Sequence, residues 1–304
     1  MEQTFYSNGK LLLTGEYVVL DGAKALAIPT KFGQYLRVYP GKNNTISWTS
    51  YDQDGSVWFD DEILFSDIKN KKQFDSSLII KNTLIEILHQ AYRQSSYFLD
   101  NSEGYVITTH LTFPRFWGLG TSSTLINNIG QWLKIDAFEL LRKSFGGSGY
   151  DIACAQYDTP ILYHLENEKP CIESISFAPA FAENLYFVYL NQKQSSKAAI
   201  AAYYHKQPQI SKTIEKINAI TANILKTEDS TLFSELLEHH EIIMSHVLEM
   251  QTVKEAFFPD FEGTIKSLGA WGGDFVLVVS DEDPTPYFEK RGYSIIVRFN
   301  DMIK

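Results

Sequence analysis

The chain has 304 residues, 44% hydrophobic and 21% charged, enough to bury a sizeable core without a disulfide or metal scaffold. With 27 basic against 37 acidic side chains its formal net charge is -10, which excludes the basic footprint of a general nucleic-acid binder. Cys154 and Cys171 have no CxxC or Cys/His partner at ligand spacing along the sequence, so a reducing, cytoplasmic compartment and no zinc site are expected. The segment Met1-Glu2-Gln3-Thr4-Phe5 lacks the basic and apolar regions of a signal peptide, and no apolar run is long enough to span a bilayer, so no membrane partner is expected.

Taken in chain order, the first third reads as strands and turns. Leu11–Leu13 and Tyr17–Leu20 flank Thr14-Gly15-Glu16, Gln34–Tyr39 alternates before Pro40-Gly41, and Thr45–Thr49 with Ser56–Phe59 reads as a hairpin around Asp54-Gly55. A helix is expected from about Ser76 to Tyr92, with Ile80, Leu84, Leu88 and Ala91 on one face and Asp75, Ser76 or Ser77 as its cap. Tyr105–His110 is a strand that Pro114 stops, and Thr124 to about Leu133 a helix. A short helix over Asp151–Gln156 and a strand over Ile161–Leu165 follow. Composition shifts near Pro179, beyond which come a strand over Tyr186–Leu190, helices from about Lys197 to Glu255, and a strand–helix–strand unit over Phe275–Ser280, Pro286–Lys290 and Ser294–Phe299. Two domains are expected, 1–178 and 179–304.

Between the strand at 105–110 and the next helix lies Gly118-Leu119-Gly120-Thr121-Ser122-Ser123. Glycines there let the backbone approach a ligand, and a helix beginning in the segment aims free N–H groups at the same point, which makes an anion nest. The pattern is neither a P-loop nor a Rossmann fingerprint. The acidic net charge does not oppose a nucleotide ligand, because salt screens distant charge within about 8–10 Å.

Three further segments accompany it: Lys10-Leu11-Leu12-Leu13-Thr14-Gly15-Glu16-Tyr17-Val18-Val19-Leu20-Asp21-Gly22, Gly147-Ser148-Gly149-Tyr150-Asp151, and Lys266-Ser267-Leu268-Gly269-Ala270-Trp271-Gly272-Gly273-Asp274. In this order the four segments resemble the motifs of the GHMP kinase superfamily, and most of all its mevalonate and phosphomevalonate kinase branch. The resemblance implies an α+β fold: an N-terminal ATP-binding domain with a mixed sheet, helices and a left-handed βαβ crossover, then a ferredoxin-like C-terminal domain, with the site in the cleft between them. It implies ATP and Mg2+ as cofactors, and phosphoryl transfer to a small-molecule hydroxyl or phosphate acceptor.

Residue by residue, the resemblance makes Asp151 the catalytic base and Lys10 its companion. It makes Gly118, Leu119, Gly120, Thr121, Ser122 and Ser123 the phosphate loop, with Gly269, Gly272 and Gly273 supporting it. Ser122 is the Mg2+ contact, and Glu139, twelve residues before Asp151 and one out of the family's register, a second metal candidate. Ser195, Ser196 and Lys197 resemble a phosphate-binding turn at a helix start. Phosphoryl transfer needs these parts: a cradle, a metal, a proton acceptor and positive charge.

Departures leave the acceptor open. Trp117 and Trp271 stand where the family has glycine, the interval from Gly118 to Asp151 is short, and Asp274 replaces a commoner cysteine. Kinases for sugar or amino-acid hydroxyls, a diphosphomevalonate decarboxylase and a non-catalytic ligand sensor are the alternatives on the same fold. The run Glu238-His239-His240-Glu241 looks metal-like but is not HExxH, since Met244 stands at the second histidine position; His239 and His246 are read as structural.

Overall fold

A computed structural model describes residues 2–192, 203–204 and 210–304. The chain divides into two compact units that interleave in sequence. The first comprises residues 1–9, 32–115 and 119–156, the second residues 10–31, 116–118 and 157–304.

The first unit holds the C-terminal part of β2 (Ala25–Pro40), the start of β1 (Gln3–Leu12), β3 (Thr45–Tyr51), β4 (Val57–Leu64), α1 (Phe65–Lys69), α2 (Ile79–Gln94), α3 (Tyr97–Asp100), β5 (Tyr105–Leu111), α4 (Thr121–Leu133), α5 (Ala137–Ser144) and α6 (Tyr150–Gln156). Its strand order is β4-β3-β5-β2, with β1 also paired to β2. β3 and β5 run parallel, from Ile46 opposite Tyr105 to Tyr51 opposite His110, while β3–β4 and β2–β5 are antiparallel. Antiparallel β4 returns the chain to the end of the sheet where β5 starts, and α1, α2 and α3 lie in the connection between them. Trp48, Ile46, Leu36, Val38 and Ile107 on the sheet pack with Leu84, Leu88, Ile126, Ile129 and Leu140 from the helices. Each fully buried aliphatic side chain there contributes about 1.5–3 kcal/mol.

The helices differ from expectation at their starts. α2 begins at Ile79, because Asp75 accepts from the Ser77 and Leu78 N–H groups in a turn of its own, and Ile80 in the first helical turn is exposed. α4 starts at Thr121, three residues before the expected Thr124. α5 is a helix the periodicity did not reveal; Asp136 caps it by accepting from Phe138 and Glu139 N–H.

The second unit opens with Lys10–Leu12 of β1 and Ala25–Lys31 of β2. Between them Val18–Asp21 forms a 3-10 turn, not the expected strand, because Tyr17 takes a φ of 62° that an extended strand cannot accommodate. Ala25–Ala27 pair with β6 (Ile161–Glu166), which forms a hairpin with β7 (Lys169–Ser174). Then come β8 (Leu185–Tyr189), α7 (Ile210–Ile224), α8 (Ser230–Leu248), α9 (Val253–Phe257), β9 (Thr264–Ser267), β10 (Phe275–Val279), α10 (Thr285–Glu289), β11 (Ile296–Arg298) and α11 (Phe299–Met302). β8 to β11 form an antiparallel sheet of order β11-β8-β10-β9, the strand order of a ferredoxin-like βαββαβ unit. Its core face carries Tyr186, Val188, Val276 and Val278 against Phe258, Phe261 and Phe288. Asp229 caps α8, and a Thr252/Glu255 capping box starts α9. Among the described residues no helix is long and apolar enough to cross a membrane.

Candidate active site

The second unit gathers four residues, Lys10, Gly118, Gly269 and Asp274, from three separate sequence segments. Lys10, near the end of β1, donates from Nζ to the Gly118 carbonyl at 2.9 Å. Gly269, after β9, lies beside the same ammonium: a Cβ placed on it would sit 4.0 Å from Lys10 Nζ. On Gly118 a Cβ would lie 1.8 Å from Asp274 Oδ2 and 2.2 Å from its Cγ. Only glycine at 118 leaves room for that carboxylate, and its φ of 69° is a second reason for glycine.

The short run before Gly118 is anchored on the four-stranded sheet. Tyr189 Oη donates to the Phe116 carbonyl at 2.9 Å, and the Trp117 ring packs edge-on to Phe275 at 5.3 Å and against Tyr189 at 6.3 Å. Trp117 therefore rests on the sheet. Trp271 is buried, donates from its indole N–H to Gln251 O, and packs with Tyr17, Met244 and Leu248. Its backbone N–H donates to Tyr17 Oη, which ties the first motif to the last. Gly269 and Gly272 both take left-handed φ values, 68° and 69°, and nothing lies within 4 Å of a Cβ built on Gly272. Gly273 donates its N–H to Ala270 O, closing the turn.

In the first unit, α4 begins at Thr121 behind Gly120, whose φ of 97° places it in the left-handed region. A glycine N-cap supplies no side chain to the N–H groups of the opening turn, so these point outward as donors. Ser123 and Thr124 are buried and turn back on the helix: Ser123 Oγ donates to Gly120 O, and Thr124 Oγ1 reaches Gln34 and the carbonyls of Gly120 and Thr121. Ser122 is exposed, and Leu119 is buried and anchors the loop. Asp151 is the second residue of α6, half-buried, with Oδ1 accepting from Ile152 N–H at 3.0 Å. Gly147 and Gly149 before it take φ values of 102° and 90°, and Gln156 ties α6 to α4 by donating to Asn127 Oδ1. Glu139, on α5, pairs with Lys143 at 2.6 Å, and that hydrogen bond holds its carboxyl below the usual range. Ser195, Ser196 and Lys197 lie outside the described residues. A concave patch of about 430 Å³ on the first unit, lined by Tyr35, Arg37, Tyr39, Tyr51, Thr108 and His110, holds none of the motif residues.

Beneath the first and last motifs lies a buried charge cluster that the sequence reading left unassigned. Lys266 Nζ meets Glu16 Oε1 at 2.5 Å, Glu241 Oε1 at 3.2 Å and the Ser267 carbonyl at 2.6 Å. Ser267 Oγ donates to Glu241 Oε2, and Gly15 N–H donates to His240 Nε2 at 3.1 Å. Glu16 Oε2 stands 3.3 Å from that same nitrogen. Burial raises the Glu16 carboxyl from 4.5 to about 7, although Lys266 opposes it, and burial raises Glu241 as well. Burial also pushes His240 well below its ordinary value, so its imidazole is neutral. For Lys266 burial acts downward, but the two carboxylates outweigh it and keep the ammonium charged. Two carboxylates and one ammonium leave a buried charge of minus one, and retention of a proton near Glu16 neutralises it. His240 and Glu241, half of the metal-like run, thus point inward to this cluster, while His239 and His246 are exposed. No local signal marked the cluster: Glu16 follows Thr14-Gly15 and Lys266 stands between Ile265 and Ser267, and only contacts distant in the chain join them.

No family model matches the sequence, and no curated protein matches it. Solved structures do. Methanococcus jannaschii mevalonate kinase superposes with a TM-score of 0.67 at 15% identity, over 97% of this chain and 96% of that one. Streptococcus pneumoniae phosphomevalonate kinase, in complex with phosphomevalonate and AMPPNP, gives 0.68 at 16% identity over 98% and 96%. Lactococcus lactis galactokinase, complexed with galactose, gives 0.66 at 13% identity over 95% and 88%. The chain has the α+β fold of the GHMP kinases, with its N-terminal mixed sheet and its four-stranded antiparallel C-terminal sheet.

Proposed function

We propose that the protein is an ATP-dependent small-molecule kinase that transfers the γ-phosphoryl group to mevalonate or phosphomevalonate. The observation that carries this reading is the meeting of Lys10, Gly118, Gly269 and Asp274, which come from three motifs in the order the kinases of this fold carry them. The glycine N-cap of α4 adds a row of N–H donors suited to phosphate oxygens.

In this reading the N–H groups of Gly118–Ser123 hold the nucleotide's phosphates, and Ser122, exposed at the second position of α4, offers its hydroxyl to Mg2+. The metal, when bound, neutralises phosphate charge. Glu139 could join it only by leaving Lys143. Asp151 accepts or orients the acceptor's proton at its carboxylate, and Lys10 supplies positive charge beside the Gly118 carbonyl. Gly272, unobstructed at the turn after β9, and Gly273 support the loop. Ser195, Ser196 and Lys197, outside the described residues, are assigned to cofactor phosphate binding. The serine–lysine segment and Asp274 favour the mevalonate branch over sugars; the galactokinase likeness keeps sugar hydroxyls in the test.

The experiment is ATP consumption with Mg2+ against mevalonate, phosphomevalonate, diphosphomevalonate, galactose, homoserine and N-acetylhexosamines, with Asp151→Asn alongside. Turnover on mevalonate or phosphomevalonate that the variant abolishes supports the proposal. Turnover on a sugar alone, CO₂ release from diphosphomevalonate, or nucleotide binding without turnover would replace it with the corresponding alternative.

A further inference from the structure

The β6–β7 hairpin, which pairs with Ala25–Ala27 and passes beside Gly22 of the first motif, carries three side chains of a kind that bind metals. His164 stands opposite Cys171 in the antiparallel register, and Glu166, two residues along from His164, projects from the same face. One donor atom from each of the three lies within 4.8 Å of the other two. We propose that these residues form a binding site for one borderline-soft divalent cation of the zinc class. The site is independent of the kinase reading.

The geometry carries the proposal in three ways. Zinc bonds of about 2.3 Å to sulfur and about 2.0–2.2 Å to carboxylate, at a tetrahedral angle, separate those two ligand atoms by about 3.5 Å. Cys171 Sγ donates a hydrogen bond to Glu166 Oε2 at 3.6 Å, a separation that a bridging cation would also span. The hairpin is closed by Asn167 and Glu168, both left-handed with φ of 51° and 61°, as a two-residue type I′ turn requires. The register, and with it the spacing of the three donors, is therefore fixed by strand pairing. The donor set of imidazole, thiolate and carboxylate suits zinc; Mg2+ and Ca2+ require oxygen ligands. His164 and Cys171 are half-buried and Glu166 is exposed, which leaves a fourth position for water.

Other charges on this face set the conditions. Lys169 stands across from Glu166, and Glu173 lies two pairs beyond Cys171, opposite Leu162. Cation binding displaces the Cys171 thiol proton to solvent. The linear spacing of 164, 166 and 171 hid this group, since strand pairing and not sequence distance brings it together.

The test uses the full chain, stripped with a chelator and then titrated. Zn2+ measured by competition with a chromogenic chelator should bind at one equivalent. Co2+ in its place should give a near-ultraviolet thiolate charge-transfer band that Cys171→Ser removes. His164→Ala and Glu166→Gln should each weaken Zn2+ at least about tenfold, the lower end of what even outer-shell partners contribute, and a His239→Ala/His246→Ala variant should bind as wild type does. In unmodified protein, Zn2+ but not Mg2+ should slow alkylation of Cys171, a readout that needs no variant. A cobalt spectrum without the thiolate band, unchanged affinity in Cys171→Ser, or alkylation indifferent to Zn2+ would overturn the proposal.

Discussion

Lys266 and Glu16 are 250 residues apart in the chain and 2.5 Å apart in the interior, each almost wholly shielded from water. Burying such a pair is costly, but breaking it costs more, because the partner keeps a charge it cannot solvate. Lys266→Met leaves both Glu16 and Glu241 without their cation and should destabilise the fold by about 3–5 kcal/mol. Guanidinium unfolding measures this. Adding Glu16→Gln and Glu241→Gln to the same variant should restore much of the loss. A Lys266→Met protein within about 1 kcal/mol of wild type, against a background where surface changes fall near ±0.5 kcal/mol, would show that the cluster is not the closed unit described.

The same cluster gives stability a pH dependence with a definite sign. Glu16 holds its proton more tightly folded, at about 7, than at its ordinary 4.5. Its contribution is therefore full below 4.5 and is lost as pH rises through about 7. His240 acts oppositely: its folded value lies below 6.5, so its contribution is present above 6.5 and is lost on acidification. Glu16→Gln removes the first effect and keeps the second. Melting temperatures across this window should fall with rising pH in wild type more steeply than in the variant, with Glu241 leaving a residual slope. Parallel curves would mean another group titrates.

Gly118→Ala places a methyl group where the Asp274 carboxylate lies and imposes a φ of 69° on a residue with a Cβ. The backbone cost is about 1–2 kcal/mol, which the fold should survive. The displaced carboxylate and the Lys10 contact to the Gly118 carbonyl should not survive. We expect turnover to fall about a hundredfold, the scale of a 1 Å misplacement near the chemistry, with only a modest drop in melting temperature. Full activity would show that the Gly118–Asp274 approach has no functional weight.

Asp151→Asn keeps the shape of the α6 start and removes the carboxylate. Turnover should drop about 10²–10⁴-fold, the range for a lost general base, while nucleotide affinity measured by calorimetry stays within a few-fold. Retained turnover would assign the proton to another group.

The glycines, the lysine of the first motif and the order of the four segments were legible because each is local and because strand and helix periods mark what flanks them. Lys10, Gly118 and Gly269 could be named from sequence, but their meeting could not, since it depends on pairings far apart in the chain. Tyr17–Leu20 misled as a strand because an apolar run buried on every side has no period; its 3-10 turn is set by the backbone at Tyr17. β7 escaped because Lys169-Pro170-Cys171-Ile172-Glu173-Ser174 has little apolar alternation, and β9 because it is only four residues long. His164 and Cys171 are seven residues apart in sequence and do not form a ligand-spaced pair there, whereas the hairpin register sets them opposite each other.

The interleaving of the two units also sets an order of events in synthesis. Residues 10–31 belong with the second unit although most of the first is translated after them. At about 5–20 residues per second, Glu16 leaves the ribosome roughly 12–50 s before Lys266 does. Throughout that interval its carboxylate must stay in water or be protonated, so the turn that carries it lacks its buried cation. A nascent chain halted anywhere short of Lys266 is therefore a holding state, and a chaperone or protease would meet the amino-terminal motif exposed until the last part of the message is read.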